Sequence, residues 1–176
     1  MTEQTASTKH ISFGLDTFGD TAMDLNGQPV SHAQTLRDII DQAVLAEKVG
    51  VDFIGIGEHH REDYAVSAPD IVMTSILAKT ERLKVTSAVT VLSSDDPVRI
   101  FERWSTMNAL SNGRAEITLG RGSFIESFPL FGFDLQDYEV LFNERLDLFR
   151  AIVDADRTGK GVTWSGKTRS ALDRKS

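Results

Sequence analysis

Cysteine is absent from the 176-residue chain, which excludes disulfide bonds and thiolate metal ligands. The sequence also lacks any run of about 18 apolar residues, so it offers no candidate transmembrane helix. No block of Lys or Arg offsets the formal net charge of −7, which disfavours nucleic acid and anionic membranes as partners. We therefore expect a cytoplasmic protein with no nucleic-acid or membrane partner.

The composition that is present is typical of a folded protein. Hydrophobic residues make up 40% and charged residues 26%, which separates the chain from disordered sequences. Residues 1–10 are polar and lack the apolar core of a secretory signal, so they are predicted to be a disordered leader. We assign residues 11–156 to one domain and residues 157–176 to a polar tail, predicted to be flexible.

One stretch, residues 51–60, organises the rest of the chain. Its apolar part, residues 51–57, predicts a buried strand because its Ile and Phe residues favour strand over helix. Glu58, His59 and His60 follow at once. In α/β proteins the carboxyl end of a parallel strand is where ligands bind, so these three side chains are the first site candidates.

Strands and helices alternate along the chain. Strands are predicted at 11–16, 51–57, 83–92 and 115–119, and helices at 31–50, 69–80, 97–110 and 137–154. This order predicts an α/β fold with a parallel sheet, either open and doubly wound or part of a barrel. Four such βα units are half of the eight that close a TIM barrel.

Local signals mark the element ends and the tail. Ser31 and Asp96 are predicted helix N-caps, and Pro97 suits a first helical position. Val162-Thr163-Trp164 predicts a short strand within the tail. The third helix is predicted to bury one stripe of side chains, which consists of Ile100, Trp104, Met107 and Leu110.

The two histidines admit three interpretations. Neighbours in an extended chain point in opposite directions, so His59 and His60 are not expected to face the same side. One can bond to the scaffold while the other is solvated, or one can face a ligand and transfer protons near neutral pH. Metal binding requires further ligands at suitable spacing, and the sequence shows no such set.

Gly120-Arg121-Gly122 lies at the corresponding end of the fourth predicted strand. Glycine lets a ligand approach the backbone and Arg binds phosphate or carboxylate, but the Arg of such a turn can equally pair with a surface acid. The hydroxyls of Ser93 and Ser94 can likewise contact a ligand or belong to a helix cap. Four phenylalanines of loop 123–136 can line an apolar site or pack under the loop, namely Phe124, Phe128, Phe131 and Phe133.

Five segments taken in order resemble the bacterial luciferase-like flavin-dependent monooxygenases. They are Glu58-His59-His60, residues 85–92, Asp96-Pro97-Val98-Arg99, Leu110-Ser111-Asn112-Gly113-Arg114 and Gly120-Arg121-Gly122. The resemblance covers residues 11–153 and favours the FMN-dependent members over the deazaflavin-dependent reductases. It implies a (β/α)8 barrel with FMN at the carboxyl-terminal mouth, where reduced FMN, supplied by a reductase, and O2 oxidise a small organic substrate.

The resemblance also implies roles for individual residues. His59 matches the active-site histidine and Arg121 matches a contact to the FMN phosphate. The bond between Ala88 and Val89 matches the place where the family carries a non-proline cis peptide under the flavin ring. The implied cofactor-binding residues are Glu58, Ala88, Val89, Arg121 and Gly122.

This chain differs from the family in length, because family members are about twice as long. We therefore expect a half-barrel with two open edges and an uncovered apolar interior. The expected partner is a second copy or a separate carboxyl-terminal half. A second copy would bind through helices 69–80 and 97–110 or by pairing of half-barrels. The alternative function is that of a non-catalytic flavin-binding or structural relative that has lost half the barrel.

Overall fold

The computed structural model describes residues 11–174, in which strands and helices alternate. The strands are β1 (Gly14–Thr17), β2 (Phe53–Ile56), β3 (Lys84–Ser87), β4 (Thr90–Val91), β5 (Ala115–Glu116), β6 (Leu119–Gly120), β7 (Val162–Trp164) and β8 (Leu172–Arg174). The helices are α1 (His32–Lys48), α2 (Pro69–Lys79), α3 (Pro97–Leu110), α4 (Ser127–Leu130) and α5 (Tyr138–Thr158). Each predicted strand and helix has a counterpart, although β1 begins at Gly14 rather than Ile11 and the third and fourth predicted strands are each split in two.

The main sheet is parallel. Its four strands lie in the order β1-β2-β3-β5, and β4 pairs with β6 to extend the sheet at its carboxyl end. Phe53 is in register with Gly14 on one side and with Lys84 on the other. The parallel α/β sheet predicted from the alternation of elements is therefore confirmed.

The hydrophobic core lies between the helices and one face of this sheet. Ile54, Ile56 and Val85 contribute the strand side of the core and are at most 4% exposed. The helix side is supplied by α1, α2 and α3, mainly through Ile39, Ala43, Met73, Ile76, Ile100 and Trp104. Apolar burial of this kind is the main favourable term in folding, so this layer is what holds the strand ends in place.

The inner face of the sheet is largely polar, which corrects the prediction of an uncovered apolar interior. Lys84 Nζ lies 2.8 Å from Glu116 Oε1, and the hydroxyls of Thr86 and Thr118 lie 3.3 Å apart. Gly55 lies beneath the carboxylate of Asp16. Phe53 adds one apolar ring at the amino-terminal end, over Gly14. The prediction failed because the inward positions of β2 include glycine, which counts as apolar but covers no surface.

Both predicted helix N-caps are confirmed, but one residue of the predicted buried stripe is exposed. Ser31 accepts a hydrogen bond from the N–H of Gln34, and Asp96 accepts from Val98 and Arg99, so both N-caps are confirmed. Leu110 was predicted to be buried, but it lies in the last turn of α3 and is 74% exposed.

None of the helices within residues 11–174 is long and apolar enough to cross a membrane.

Arg114 joins the amino-terminal end of the sheet to two helix ends. Its guanidinium donates hydrogen bonds to the carbonyls of Leu77 (2.8 Å) and Leu83 (3.0 Å) and to Thr80 Oγ1 (3.0 Å). Its Nε donates to the carbonyl of Ser111 at 3.0 Å. This residue closes one of the segments that carry the family resemblance, and its role there is structural.

The tail folds back as an antiparallel hairpin of β7 and β8 against α5. The predicted strand at residues 162–164 is confirmed as β7. Val162 packs on Leu148 and Ile152 of α5. The carboxylate of Glu144 accepts hydrogen bonds from three successive backbone N–H groups, those of residues 167–169. The hairpin is thus fixed to the domain by both apolar packing and a partly buried carboxylate contact.

Glu47 makes a similar contact that carries a prediction about acid stability. Burial opposes ionisation of Glu47, but hydrogen bonds from the N–H groups of Leu83, Glu81 and Arg82 outweigh it and lower the pKa. A lowered folded-state pKa adds stability above the unfolded value of about 4.3, and this stability disappears as pH falls through the folded pKa.

The substitution Glu47→Gln is therefore expected to destabilise the fold by about 1–2 kcal/mol at pH 7, because a charged acceptor of three N–H groups is lost. Urea unfolding at pH 7 and at pH 3 measures the effect. The two proteins should converge at the lower pH. An unchanged difference between them at both pH values would contradict the role assigned to the charge.

Candidate active site

The candidate site residues lie at one end of the sheet. Glu58, His59 and His60 follow β2, and Arg121 follows β6 directly. Because the paired strands are parallel, their carboxyl ends share one edge. The imidazole and guanidinium groups singled out in the sequence are therefore brought to the same rim.

His59 is enclosed by aromatic rings. Its ring centroid lies 4.3 Å from that of Tyr64, 5.2 Å from that of Phe124 and 5.6 Å from that of Phe18. The residue is only 8% exposed. Its backbone N–H donates to the carbonyl of Val66, whereas its side-chain Nε2 has no hydrogen-bond partner among residues 11–174. Buried polar atoms are normally hydrogen-bonded, so a buried imidazole nitrogen without a partner marks His59 as the leading candidate for a functional residue at the rim.

The surroundings of His59 favour the neutral form of its imidazole. Burial lowers its pKa, and the nearby carboxylates of Glu126, Asp20 and Glu58 oppose this effect only in part. A neutral imidazole has one nitrogen that accepts a proton and one that donates. The neutral His59 ring therefore offers one nitrogen that can accept a proton and one N–H that can donate a hydrogen bond.

Two loops close together to form this aromatic enclosure. The N–H of Ala65 donates to the carbonyl of Gly19 at 2.7 Å, and the N–H of Thr21 donates to the carbonyl of Asp63 at 3.0 Å. Gly19 has φ of 75°, and a Cβ at that position would lie 2.6 Å from Val66 Cγ2. Only glycine fits this approach. The paired loops fix the positions of the rings that flank His59 on two sides.

His60 points to a different set of residues from His59, as expected for neighbours in an extended segment. Its Nε2 lies 3.0 Å from Glu58 Oε1, and its ring makes an edge contact with Phe131 at 5.1 Å between centroids. The second carboxylate oxygen of Glu58 accepts the N–H of Val91 at 2.9 Å. Both oxygens of Glu58 are thus engaged by the scaffold, and they tie the end of β2 to β4.

The peptide bond between Ala88 and Val89 is cis, as the family resemblance implied. It lies between β3 and β4, and the N–H of Ala88 donates to the carbonyl of Ile56 at the end of β2. A Cβ at Gly120 would lie 2.3 Å from Val89 Cγ2. Small residues on the neighbouring strands therefore make room for this bond at the rim.

Arg121 lies against α5. Its Nη2 donates to Glu139 Oε2 at 3.1 Å, and its guanidinium lies 4.7 Å from the ring centroid of Phe142. Its Nε is buried without a partner in the part of the chain that the structure describes. Gly122 has φ of 80° and packs on Val91, where a Cβ would lie 3.1 Å from Cγ1. The pairing with a surface acid, which the sequence left open, is thus present, and the phosphate contact stays a prediction.

The four phenylalanines of the loop after β6 have divided roles. Phe124 packs on His59 and Phe131 on His60. Phe128 is fully buried and stacks on Tyr138, and Phe133 lies beneath the guanidinium of Arg145. The two alternatives offered for this group, site lining and packing, each apply to half of it.

Sequence reasoning missed three residues that shape the rim. Phe18 and Tyr64 lie in loops without periodicity, so only their aromatic character could have marked them. Arg145 is 6% exposed and donates to the carbonyls of Leu92 and Ser93. Arg145 could have been noticed in the sequence because it is a charged residue within the buried stripe of an amphipathic helix. Within residues 11–174, no group of three or more His, Asp or Glu side chains is placed to hold a metal ion.

The sequence model of one protein family, described as luciferase-like monooxygenase, matches residues 13–175, which is nearly the whole chain. The chain belongs to the luciferase-like monooxygenase family. This match confirms the resemblance inferred from the five sequence segments.

Known proteins resemble this chain at low sequence identity. The alkanal monooxygenase alpha chain of the Kryptophanaron alfredi symbiont is 24% identical over 132 residues, which cover 74% of this chain and 37% of that protein. The oxygenating constituent of 3,6-diketocamphane monooxygenase from Pseudomonas putida, a type II Baeyer-Villiger enzyme in complex with FMN, matches with a TM-score of 0.79 and 18% identity over 92% of this chain and 43% of that one. The coenzyme F420 dependent tetrahydromethanopterin reductase of Methanopyrus kandleri matches with a TM-score of 0.65 and 20% identity over 94% and 46%.

These matches fix the architecture of the luciferase-like chain. It spans less than half the length of these relatives. The sheet and its helices correspond to half of a TIM barrel of the luciferase-like type, which confirms the predicted half-barrel.

The enclosure around His59 carries a prediction about its titration. Because burial is the main cause of the lowered pKa, the substitution Phe124→Ala should expose the imidazole and raise its pKa toward the ordinary range. A pH titration of the His59 ring protons by NMR measures this. The matched control is Phe131→Ala, which removes a ring from His60 and should leave the His59 pKa in place. An unchanged His59 pKa after removal of Phe124 would contradict this account.

Proposed function

We propose that the chain supplies half of the active site of an FMN-dependent monooxygenase, which uses reduced flavin and O2 to oxidise a small organic substrate. The observation that supports this most is the buried His59 imidazole, whose Nε2 has no partner among the described residues. It lies at the same rim as the cis bond between Ala88 and Val89. Membership of the luciferase-like family makes a monooxygenase the favoured class.

The residues present suit a flavin in several respects. Ala88 carries only a methyl side chain beside the end of β2, where its N–H donates to the carbonyl of Ile56, so it places little bulk in the way of a ring. Arg121 and Gly122 lie at the rim for a phosphate, and the Nε of Arg121 is buried without a partner in the described part of the chain. Binding of FMN by Arg121 requires its exchange from Glu139, which is a surface pairing and therefore weak. Glu58 contributes by holding β4 and His60 in place rather than through a free oxygen.

When bound, reduced FMN supplies the electrons that activate O2, because the cofactor carries this chemistry and the protein positions it. The role of the chain is to exclude water and to place a proton. Phe18, Tyr64 and Phe124 shield the imidazole from solvent. His59 Nε2 then accepts or donates one proton beside the reacting atoms, as a general acid or base.

The test of cofactor choice is a titration of FMN into the purified chain, followed by quenching of flavin fluorescence. We expect saturable binding, and we expect coenzyme F420 to bind at least about tenfold more weakly. The variants Arg121→Gln and Gly122→Val should weaken FMN binding. A chain that binds neither flavin, or that prefers F420, would overturn the proposed cofactor.

The alternative is a non-catalytic relative that binds flavin or serves as a structural subunit. What favours it is that two of the implied flavin contacts are already bonded within the protein, because Arg121 pairs with Glu139 and both oxygens of Glu58 are held by His60 and Val91. Oxygen uptake coupled to NAD(P)H and a flavin reductase separates the two. FMN binding without such uptake would favour the non-catalytic function.

A second copy of the chain is the proposed protein partner, besides a flavin reductase. The outer faces of α2 and α3 form a groove of about 400 Å³, with Ile71 65% and Leu110 74% exposed beside it. Burial of such side chains at an interface is favourable. The edge strand β1 offers the other route, by pairing of half-barrels. Light scattering of wild type and of Leu110→Glu distinguishes the two modes of dimerisation, since only the helix-mediated dimer should dissociate.

A cytoplasmic location stays a prediction.

A further inference from the structure

Arg121, the residue proposed to contact the flavin phosphate, already holds a carboxylate. Its Nη2 donates a hydrogen bond to Glu139 Oε2 at 3.1 Å. The side chains of Arg121 and Glu139 are 41% and 63% exposed, so the pair lies at the surface. The proposed phosphate contact is therefore occupied by a group of the chain that carries the same sign of charge as a phosphate.

The start of α5 supplies both the carboxylate and the aromatic rings on which Arg121 rests. The guanidinium carbon lies 4.7 Å from the ring centroid of Phe142 and 6.0 Å from that of Tyr138. Glu139 is the acidic residue in the first turn of the same helix. Removal of its charge would leave these ring contacts in place, so Arg121 does not depend on Glu139 alone for its position at the rim.

Two further features keep the Glu139 carboxylate in competition with a phosphate. The N–H groups at the start of a helix carry partial positive charge, which favours a carboxylate in the first turn. Between Arg121 and Arg145 the sequence contains no Lys or Arg, whereas Asp134 and Asp137 add two carboxylates just before Glu139. An incoming phosphate therefore has to displace Glu139 with no other cation of this segment to assist it.

The pairing between Arg121 and Glu139 is incomplete, which allows an anion to replace it. A guanidinium binds carboxylate or phosphate most strongly through two parallel N–H groups. Arg61 binds Asp63 in this way, with Nε 2.9 Å from Oδ1 and Nη2 3.0 Å from Oδ2. Glu139 takes only Nη2 of Arg121, and the buried Nε has no partner in the part of the chain that the structure describes.

We infer that Glu139 competes with the flavin phosphate for Arg121, so that the chain distinguishes FMN only weakly from riboflavin, which has the same ring without the phosphate. The inference rests on the proposed function, since it names a residue that sets the cofactor selectivity of the same site. Exposed ion pairs contribute little, so the competition weakens the phosphate contact by about two- to fivefold and does not abolish it.

The test compares FMN and riboflavin, each titrated into the full chain at low salt and followed by quenching of flavin fluorescence. Glu139→Gln keeps the shape of the side chain and removes its charge. It should raise the FMN affinity by about two- to fivefold and leave the riboflavin affinity unchanged. The gain should shrink at high salt, because the competing charges are exposed.

Two further variants locate the effect. The matched control, Asp154→Asn, breaks another exposed ion pair of α5, that with Arg157, and should leave both affinities unchanged. In an Arg121→Gln background, Glu139→Gln should give no gain, because the group for which it competes is absent. An unchanged or weaker FMN affinity in Glu139→Gln, an equal gain for riboflavin, or a gain that persists without Arg121 would each overturn the inference.

A phosphate titration separates this outcome from that of the proposed function. Inorganic phosphate is added to the flavin-free chain and to its Glu139→Gln variant, and the NMR signal of the Arg121 Nε–H reports binding. Tighter phosphate binding by the variant, without binding of either flavin, would overturn the flavin proposal and leave the competition standing. FMN binding of equal affinity in the two proteins would do the reverse. An equal response to phosphate in the two proteins, or none, would also overturn the inference.

Discussion

Replacing His59 with alanine is expected to lower flavin-dependent oxygen uptake by at least about 10²-fold, the range in which loss of a positioned general acid or base falls. The reason is that His59 offers a buried, unpartnered imidazole nitrogen at the rim. The measurement is oxygen consumption coupled to NAD(P)H and a flavin reductase, alongside FMN affinity by fluorescence quenching. The affinity should change much less than the rate, because the substitution removes a proton-transfer group and leaves the strand ends intact.

A second variant separates proton transfer from packing. His59→Asn keeps a polar side chain of similar reach but has no group that titrates near neutral pH. It should be nearly as slow as the alanine variant and should preserve the aromatic enclosure formed by Phe18, Tyr64 and Phe124. If oxygen uptake survives in either variant, His59 is not the catalytic residue.

Replacing Arg114 with methionine is expected to destabilise the fold by about 3 kcal/mol. The substitution removes the donor of four hydrogen bonds and leaves the carbonyls of Leu77, Leu83 and Ser111 without it. Hydrogen bonds from charged groups are each worth about 1.5–3 kcal/mol, and unsatisfied buried acceptors add to the cost. For a chain of this length, the expected fall in Tm is roughly 6–12 °C. Thermal and urea unfolding measure it.

Arg82 provides the matched control for this prediction. It lies at the same end of the sheet but is half exposed, with one hydrogen bond to the carbonyl of Glu47 and a 3.7 Å ion pair with Asp52. Exposed pairs of this kind contribute about 0–1 kcal/mol, so Arg82→Met should cost less than 1 kcal/mol. Equal losses in the two variants would show that Arg114 has no special role in joining α2, α3 and β3.

Periodicity was sufficient to predict the parallel α/β sheet, for reasons that lie in particular residues, whereas the barrel was implied only by the family resemblance. Ile54 and Ile56 are buried because β2 is a central strand under helices, and an apolar run is what such a strand requires. Ser31 and Asp96 could be placed as N-caps because the cap depends on local chemistry alone. Leu110 failed because helix periodicity does not state where the layer packed against the helix ends.

The rim could be predicted only in outline. Strand ends placed His59 and Arg121 at one edge, and the family resemblance supplied the cis bond at Ala88. The enclosure of His59 could not be foreseen, because it depends on loop pairing between distant segments, such as the bond from Ala65 to Gly19. Contacts between distant loops produce no periodic pattern in the sequence.

The polar inner face of the sheet restricts what can close over it. Most eight-stranded barrels are filled by branched aliphatic side chains in layers. Here the middle layer carries Asp16 and the hydroxyl pair of Thr86 and Thr118, and Asp16 has no cationic partner among residues 11–174. Strands that complete this barrel must therefore bring a lysine, an arginine or ordered water to the level of Asp16. If those strands contributed only apolar side chains, the Asp16 carboxylate would be buried in a medium that cannot solvate it.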